Sequence, residues 1–213
     1  MSSSLDSEAA SRSLVLATGN RGKVLEFQNL LAPAGFTILT PQDIGFTDEV
    51  EETGDTMVKN AYIKARALAV NTLHPVLADD SGLEVDALGG APGVYSARYA
   101  TPEEVALAGN GKPISQAVAN RNKLMGALLG RDDRTARFRC VLCYLAPGHE
   151  PVYFAGVCEG RIAVYERGEG GFGYDPVFIP TGYDKTFGEL SNSIKDGMSH
   201  RGQAVSLFLK SLA

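Results

Sequence analysis

The chain has 213 residues, of which 44% are hydrophobic and 21% are charged, and its formal net charge at pH 7 is -5. This composition is ordinary for a globular protein, and the length is enough to bury a sizeable core. The acidic balance disfavours a nucleic-acid polymer as partner, although a small phosphate-bearing ligand needs only a few local cations. No apolar run is long enough to cross a bilayer, so no membrane partner is expected.

The cysteines predict a reducing compartment, and therefore a cytoplasmic location. Cys140, Cys143 and Cys158 are too few and too odd in number for a disulfide framework. The first two have C-x-x-C spacing, but they lie in a predicted strand, where residues three apart face opposite ways. We therefore interpret them as core residues. Residues 1–12 are rich in serine with no apolar centre, which predicts a flexible tail and not a signal peptide.

The first predicted elements are a buried strand at residues 14–17, a glycine-containing loop at 18–23 (Thr-Gly-Asn-Arg-Gly-Lys) and a helix that ends near Pro33. Such a strand, loop and helix aim backbone N–H groups at an anion, and Lys23 adds a positive charge. The pattern is not a P-loop, because Val24 stands where that motif has its magnesium-binding Ser or Thr. A phosphate-binding loop and a simple connection remain equally open.

A second helix is predicted at residues 56–70, with Lys64 mostly on its solvated face. Glu51 and Glu52 lie just ahead of it, where the helix dipole favours carboxylates. The alternative interpretation is that one of the two glutamates helps to hold a hard cation.

A short apolar run at residues 76–78 is followed by Asp79, Asp80 and the turn-forming pair 81–82 (Ser-Gly). We predict a buried strand that ends at the aspartates and then turns. Neighbouring strand residues point to opposite faces, so only one aspartate can serve a given cavity unless the chain turns between them. Adjacent carboxylates repel, and a divalent metal is one possible compensation. A plain polar turn is the alternative.

In the second half of the chain, the spacing of hydrophobic residues changes from helical to strand-like. A capping box at residues 101–104 and a helix at about 114–129 precede two antiparallel strands, at 136–145 and 151–158, which are joined by a hairpin. A further strand is predicted at 161–165.

A glycine-rich stretch at residues 168–173 matches G-x-G-x-x-G, yet it is not a dinucleotide fingerprint because a proline-containing strand, and not a helix, is predicted at 174–179. Phe172, between glycines, suits stacking on a base. In the last predicted helix, His200 and Arg201 follow a Ser N-cap, and cations in a first turn oppose the dipole. A bound anion or polar ligand would explain them, and a surface histidine is the alternative.

Six motifs together resemble the inosine triphosphate pyrophosphatase family, and within it the bacterial XTP/dITP (noncanonical purine NTP) pyrophosphatases. They occur in family order from about residue 14 to the C-terminus, and each alone is weak. The motifs are Thr18-Gly-Asn-Arg-Gly-Lys23, Glu51-Glu-Thr-Gly54, Ala78-Asp-Asp-Ser-Gly82, Leu88-Gly-Gly-Ala-Pro-Gly93 with Ser96-Ala-Arg-Tyr99, Gly171-Phe-Gly-Tyr-Asp-Pro176 and Ser199-His-Arg-Gly202.

The resemblance implies one catalytic α/β domain over residues 13–213, with two lobes around a long twisted mixed β-sheet, flanking helices and a cleft between the lobes. It implies Mg2+-dependent hydrolysis of ITP, dITP and XTP to the monophosphate and pyrophosphate, and a homodimer. Asp80 matches the general base and a metal ligand, and Glu52 matches the acidic metal residue, with Glu51 as the weaker candidate. The matching substrate contacts are Thr18, Gly19, Asn20, Arg21, Gly22, Lys23, Ser81, Phe172, Gly173, Tyr174, Asp175, Lys195, His200 and Arg201.

Two other functions fit part of this pattern. One is a related house-cleaning pyrophosphatase that acts on other modified nucleotides. The other is a nucleotide-binding module without catalysis, against which the presence of both Glu52 and Asp80 argues. A phosphatase with an aspartyl nucleophile fits less well, because residues 79–81 lack the Asp-x-Asp spacing of that chemistry.

Overall fold

A computed structural model describes residues 12–108 and 114–212, and its centre is one six-stranded mixed sheet. The strand order is β2-β1-β3-β4-β5-β6, with β1 parallel to β2 and β3 and the remaining pairs antiparallel. The strands are β1 (Arg12–Leu16), β2 (Phe36–Leu39), β3 (Val76–Val85), β4 (Thr135–Leu145), β5 (Val152–Ile162) and β6 (Phe178–Pro180). The predicted α/β class with a mixed sheet is confirmed. Of the predicted tail, only Arg12 falls among the described residues, and it is the first residue of β1.

The helices begin at the N-caps that the sequence offers. Thr56, Ser115 and Ser199 each accept a hydrogen bond from a backbone N–H of the first turn of their helix. The predicted capping box is also present, since Thr101 and Glu104 exchange backbone-to-side-chain bonds of 2.8 and 3.3 Å. The α-helices are α1 (Arg21–Leu31), α2 (Met57–Ala69), α3 (Pro102–Ala108), α4 (Gln116–Ala127), α5 (Asn192–Met198) and α6 (His200–Ser211). No helix in the described ranges is long and apolar enough to span a membrane.

The central strand β3 corrects the sequence prediction, because it does not end at the aspartates. It pairs with β4 without interruption from Val76 to Val85, and Asp79 and Asp80 lie inside the ladder opposite Leu142 and Val141. The antiparallel partner supplies the pairing that the predicted turn would have broken. The two carboxylates therefore point to opposite faces of the sheet.

Gly82, which suggested the turn, has a packing role instead. A Cβ added there would lie 2.2 Å from the carbonyl oxygen of Gly93 and 2.8 Å from Ser96 Oγ. The strand thus passes in close contact with the 3-10 turn Gly93–Arg98.

Three apolar clusters define the layers. On one face, β1, β3 and β4 pack against α1 and α6 around residues such as Phe27 and Phe208. Further along the same face, a second cluster includes Leu83, Leu124 and Phe138, and it forms the second lobe with α4. The opposite face is covered by α2, where Ala61 contributes to the third cluster. The junction between the first two clusters is the place where polar residues interrupt the core.

The cysteine interpretation is confirmed, since Cys140 and Cys143 are free, buried and belong to clusters on opposite faces. The predicted hairpin strands are also present. The strand predicted at 161–165 is wrong beyond Ile162, where β5 ends. The strand predicted at 174–179 is wrong in its first part, because residues Asp175–Val177 form a 3-10 turn and Pro176 lacks the N–H that a strand ladder needs. Only the end of the segment joins β6.

Candidate active site

A cavity of about 320 Å³ lies between the two lobes, at the interruption in the core. That volume is at the lower end of the range for small-molecule sites. A larger hollow of about 540 Å³ lies around Arg134 and Arg161, and it contains none of the predicted site residues. The predicted residues that line the smaller cavity are Asn20, Lys23, Ser81, Phe172, Gly173, Tyr174, Asp175, Lys195, His200 and Arg201.

Helix α1 starts at this cavity. Asn20 is its N-cap and accepts a hydrogen bond from the Lys23 backbone N–H at 3.2 Å, while Thr18 Oγ1 accepts one from the Asn20 N–H at 3.2 Å. The positive end of the helix dipole and the Lys23 ammonium therefore face the same space. Gly19 and Arg21 are exposed and do not line the cavity.

Asp79 points into the cavity side of the sheet and is fully buried. It is ion-paired with Lys23, and it accepts hydrogen bonds from Arg201 Nε at 3.1 Å, Ser81 Oγ at 3.2 Å and Cys140 Sγ at 3.2 Å. Burial acts to raise the pKa of Asp79, but the surrounding cations outweigh it and hold that pKa well below the ordinary value. This carboxylate is therefore ionised at neutral pH, where it anchors the surrounding cations.

Asp80 points to the opposite face, toward α2. Lys64 Nζ lies 3.0 Å from Asp80 Oδ1 and 2.7 Å from Glu52 Oε1, so one ammonium holds both carboxylates. Asn60 Nδ2 lies 3.4 Å from the other Asp80 oxygen. Arg98 reaches from the second lobe and donates to the carboxylate and the backbone carbonyl of Glu52, both at 3.2 Å. Glu52 and Asp80, which are 28 positions apart in the sequence, are thus brought together at one site.

The environments of these two carboxylates separate their pKa values. Burial raises the pKa of Asp80, and the attraction of Lys64 and Lys23 offsets only part of that rise. Burial also acts to raise the pKa of Glu52, but Lys64 and Arg98 outweigh it, so the net pKa is lowered. Asp80 is therefore the better proton acceptor of the two. Glu52 and Asp80 do not themselves line the cavity, but Asp80 directly precedes Ser81, which does.

The far end of the cavity, where Lys195 and Arg201 lie, is bordered by a chain of buried ion pairs. Lys195 Nζ lies 2.6 Å from Asp175 Oδ2 and 2.5 Å from Glu26 Oε1. Glu26 also pairs with Arg201, which donates a further hydrogen bond of 3.0 Å to Ser81 Oγ. These groups hold each other in fixed positions around the cavity.

His200 is 4% exposed and stacks on Phe138, with ring centroids 4.7 Å apart and an interplanar angle of 11°. Burial, together with the neighbouring Arg201, lowers its pKa well below the ordinary value, so the ring is neutral at pH 7. Its Nδ1 is buried without a hydrogen-bond partner among residues 12–108 and 114–212. An unpaired buried nitrogen beside a cavity is a binding group that a ligand can satisfy. The sequence interpretation of His200 as a first-turn cation is therefore wrong.

Phe172 borders the cavity at its mouth. Its N–H donates to Asp175 Oδ2 at 2.8 Å, and its ring lies with its centroid 5.0 Å from Lys195 Nζ. The ring also packs on Gly22, where an added Cβ would be 2.6 Å away. The glycine-rich loop and the α1 loop therefore meet across the opening.

The whole chain resembles known proteins. The model of the Ham1 family matches residues 14–211. The chain belongs to the Ham1 family. Two dITP/XTP pyrophosphatases, from Bacillus licheniformis and Bacillus subtilis, are each 46% identical to it, over 91% and 93% of this chain and 94% and 96% of theirs. The solved structure of the Staphylococcus aureus Ham1 protein is 38% identical, with a TM-score of 0.78 over 94% of this chain and 97% of that one.

Membership of the Ham1 family agrees with the resemblance seen in the motifs, but the site contains residues that the motifs did not reveal. Lys64 was predicted to be mostly solvated, and this is wrong, because its side chain is only 11% exposed and holds Glu52 and Asp80. The available signal was its position four residues after Asn60, on the same face of α2 as the buried residues. Glu26 was also missed, since ion pairs between distant segments leave no periodic pattern. Arg98 lies within the motif at residues 96–99, but it was given no role there.

The donor set of this Ham1-family chain fits a magnesium ion that is completed by its substrate. Within residues 12–108 and 114–212, no cluster of three or more His, Cys, Asp or Glu residues could hold a metal alone. Glu52 and Asp80 supply two carboxylates at one place, and Mg2+ is usually bound in proteins by one or two carboxylates plus phosphate oxygens and water. Glu51 is exposed, and no ion pair is found for it among the described residues.

Proposed function

We propose that this chain hydrolyses noncanonical purine nucleoside triphosphates, namely ITP, dITP and XTP, to the monophosphate and pyrophosphate, and so cleanses the nucleotide pool. Relatives of similar length at 46% identity are named dITP/XTP pyrophosphatases. The observation that carries the proposal is the shared contact of Glu52 and Asp80 with Lys64, beside a cavity with a neutral buried histidine at its far end.

The polyphosphate end of the site is proposed to be the start of α1. The Lys23 ammonium and the positive end of the α1 dipole attract the anion. The charged residues around the site form two separate ion-paired groups, one around Asp79 with three cations and three carboxylates and one around Lys64 with two of each. Each group is balanced in charge, so added phosphate charge requires a further cation. These residues are Lys23, Lys64, Arg98, Lys195 and Arg201 with Glu26, Glu52, Asp79, Asp80 and Asp175.

Mg2+ is proposed as that cation, with Glu52 and Asp80 as its protein ligands and Glu51 as a further candidate. When bound, the ion neutralises the triphosphate and the departing pyrophosphate. Asp80 orients a water molecule and accepts its proton. The water oxygen bonds to the α-phosphorus, and the bond from that phosphorus to the oxygen bridging to the β-phosphorus breaks.

The base is proposed to bind between Phe172 and the buried polar groups at the far end. A 6-oxo purine presents an acceptor at position 6, and both His200 and Arg201 carry N–H groups that can donate to it. Adenine presents a donor there instead, which leaves buried donors unpaired at a cost of about 1-3 kcal/mol each. Asp175 and Lys195 hold this end of the cavity in place.

One assay tests the proposal and its rivals. Release of pyrophosphate and of orthophosphate is measured with ITP, XTP, dITP, GTP, ATP and dUTP, with and without Mg2+. We expect pyrophosphate from the first three only in the presence of Mg2+. Preference for dUTP would favour a pyrophosphatase for other modified nucleotides. Stoichiometric nucleotide binding without phosphate release would favour a binding module, and orthophosphate release would contradict the assigned bond cleavage.

We also propose a homodimer in the cytoplasm. The face of β5 that points away from α6 carries Tyr153, which is 40% exposed, and the exposed Ala155. A second copy could cover this face, and the three free cysteines suit a reducing compartment. Analytical ultracentrifugation of the chain and of Tyr153→Arg tests the assembly. We expect a dimer that Tyr153→Arg dissociates, and a monomer in the unmodified chain would refute the proposal.

A further inference from the structure

The loop of residues 168–173 has few means of holding itself in one conformation. Four of its six residues are glycine, and Gly168, Gly171 and Gly173 have positive φ angles. Glycine gives up more backbone freedom on ordering than any other residue, so such a loop needs contacts from outside. Yet it carries Phe172, which borders the cavity.

The two halves of the loop are held by different parts of the molecule. The first half packs on Gly188, where the N–H of Gly170 donates to the Gly188 carbonyl at 3.0 Å. The second half is held from α4, because Arg121 Nη1 donates to the carbonyl of Gly173 at 2.8 Å. Helix α4 also supplies part of the cavity wall, at Ala117 and Asn120.

Arg121 contacts the last residue of the loop, Gly173, and a residue just before the loop, Glu166. Its Nε lies 3.0 Å from Glu166 Oε1, just before the glycines, although this ion pair lacks the alignment of a hydrogen bond. The side chain is only 13% exposed. A planar guanidinium can reach two acceptors in different directions, which a lysine ammonium on a single flexible stem does less well.

The helix turn that carries Arg121 is held in place by its neighbour. The neighbouring Asn120 accepts a hydrogen bond from the Ala100 N–H at 2.8 Å and donates to the carbonyls of Ser96 and Ala97 at 3.1 and 3.0 Å. Helix α4 is thereby fixed to the wall of the second lobe.

We propose that Arg121 is a positioning residue that keeps the 168–173 loop closed against α4 and so places Phe172 for the base of the substrate. This inference rests on the proposed function. It assigns Arg121 to recognition of the nucleoside and not of the polyphosphate, because its contacts lie at Gly173 and Glu166 and not at the start of α1.

The test compares Arg121→Lys with Arg131→Lys. Arg131 also donates to backbone carbonyls, but those of Ala87 and Ala127, which lie outside the 168–173 loop. We expect Arg121→Lys to raise the KM for ITP by about tenfold, the loss of one well-made hydrogen bond. We expect kcat and the inhibition constant of inorganic tripolyphosphate to change less than twofold. Arg131→Lys should change none of these.

Amide hydrogen exchange gives a second readout. Exchange in residues 167–174 should become faster in Arg121→Lys, with β4 unaffected. An unchanged KM for ITP, unchanged loop exchange, or an equal loss of tripolyphosphate binding would each overturn the inference. If the unmodified chain fails to hydrolyse ITP, the proposed function fails. Loop exchange and calorimetric ITP binding then decide the role of Arg121 on their own.

Discussion

Lys64 holds the carboxylates of Glu52 and Asp80 together at 2.7 and 3.0 Å. Without a cation between them, two acidic groups this close would repel, and one would take up a proton. The ammonium therefore keeps both carboxylates ready before any metal arrives. It also restrains the pKa of Asp80, which burial raises.

Replacing Asp80 by Asn should lower kcat for ITP by about 10²- to 10⁴-fold, since the amide cannot accept the proton of the attacking water. Nucleotide binding should be largely retained, and calorimetry with ITP checks this. Asp55→Asn is the matched control, because Asp55 is exposed and forms an ion pair with the exposed Lys59. Lost binding with normal turnover of whatever still binds would contradict the role of Asp80.

Replacing Lys64 by Met should shift the acidic limb of the pH profile of kcat/KM to higher pH. Asp80 must be deprotonated to act as a base, so activity falls as the pH drops through its pKa. Removing Lys64 removes the largest influence that lowers this pKa and leaves the opposing charge of Glu52 in place. Lys59→Met, on the exposed part of the same helix, should leave the limb where it is. A limb that moves to lower pH would argue against this account.

At the scale of the elements, β3 shows what a single sequence can and cannot predict. Its apolar start and its acidic pair were readable, but its continuation through residues 81–82 depended on β4, which lies more than fifty residues away. Helices α2, α4 and α6 were predicted well because caps and helical periodicity are local signals. The ion pairs of Glu26 and Arg98 depend on how elements are packed together, and local signals carry no information about that.

Helix α6 illustrates how packing positions the site. It lies so close to β5 that a Cβ added at Gly156 would be 2.0 Å from the carbonyl oxygen of His200 and 2.8 Å from Ala204 N. The helix start that carries His200 and Arg201 is therefore set by a glycine on a neighbouring strand.

Gly156→Ala should push α6 away from the sheet. We expect the free energy of unfolding to fall by about 1-3 kcal/mol, as in overpacked cores, and the KM for ITP to rise because His200 and Arg201 move. Chemical denaturation and steady-state kinetics measure the two effects. Gly126→Ala is the control, since nothing lies within 4 Å of an added Cβ in α4, and it should stabilise by about 0.5-1 kcal/mol. A fully active and equally stable Gly156→Ala would disprove this packing role.

At the scale of the whole molecule, the junction of the two lobes concentrates buried charge. Asp79, Lys195 and Arg201 are each no more than 3% exposed, and His200 is buried among them. Buried ion pairs contribute little net stability but are costly to break, so they favour one arrangement of the lobes. The protonation of these buried groups links the stability of the whole fold to pH.

His200 should make the protein less stable as the pH falls below about 6.5. Its folded-state pKa is depressed, so below the unfolded value of 6.5 the unfolded chain binds more protons than the folded one. The expected contribution is a loss of up to about 1.4 kcal/mol per pH unit. Urea denaturation between pH 7.5 and 5 measures it. His200→Gln should flatten the slope, whereas the exposed His149→Gln should not, and equal slopes in all three proteins would count against a neutral buried imidazole.

The alternation of Asp79 and Asp80 along β3 has a consequence for changes in the length of this region. A shift of β3 by one position against β4 would exchange the two aspartates, so that the proton acceptor would become locked among Lys23 and Arg201 and the anchor would face α2. A shift by two positions would preserve each side chain's orientation. The close contact at Gly82 opposes any such slippage, so the strand keeps its alignment as well as its fold.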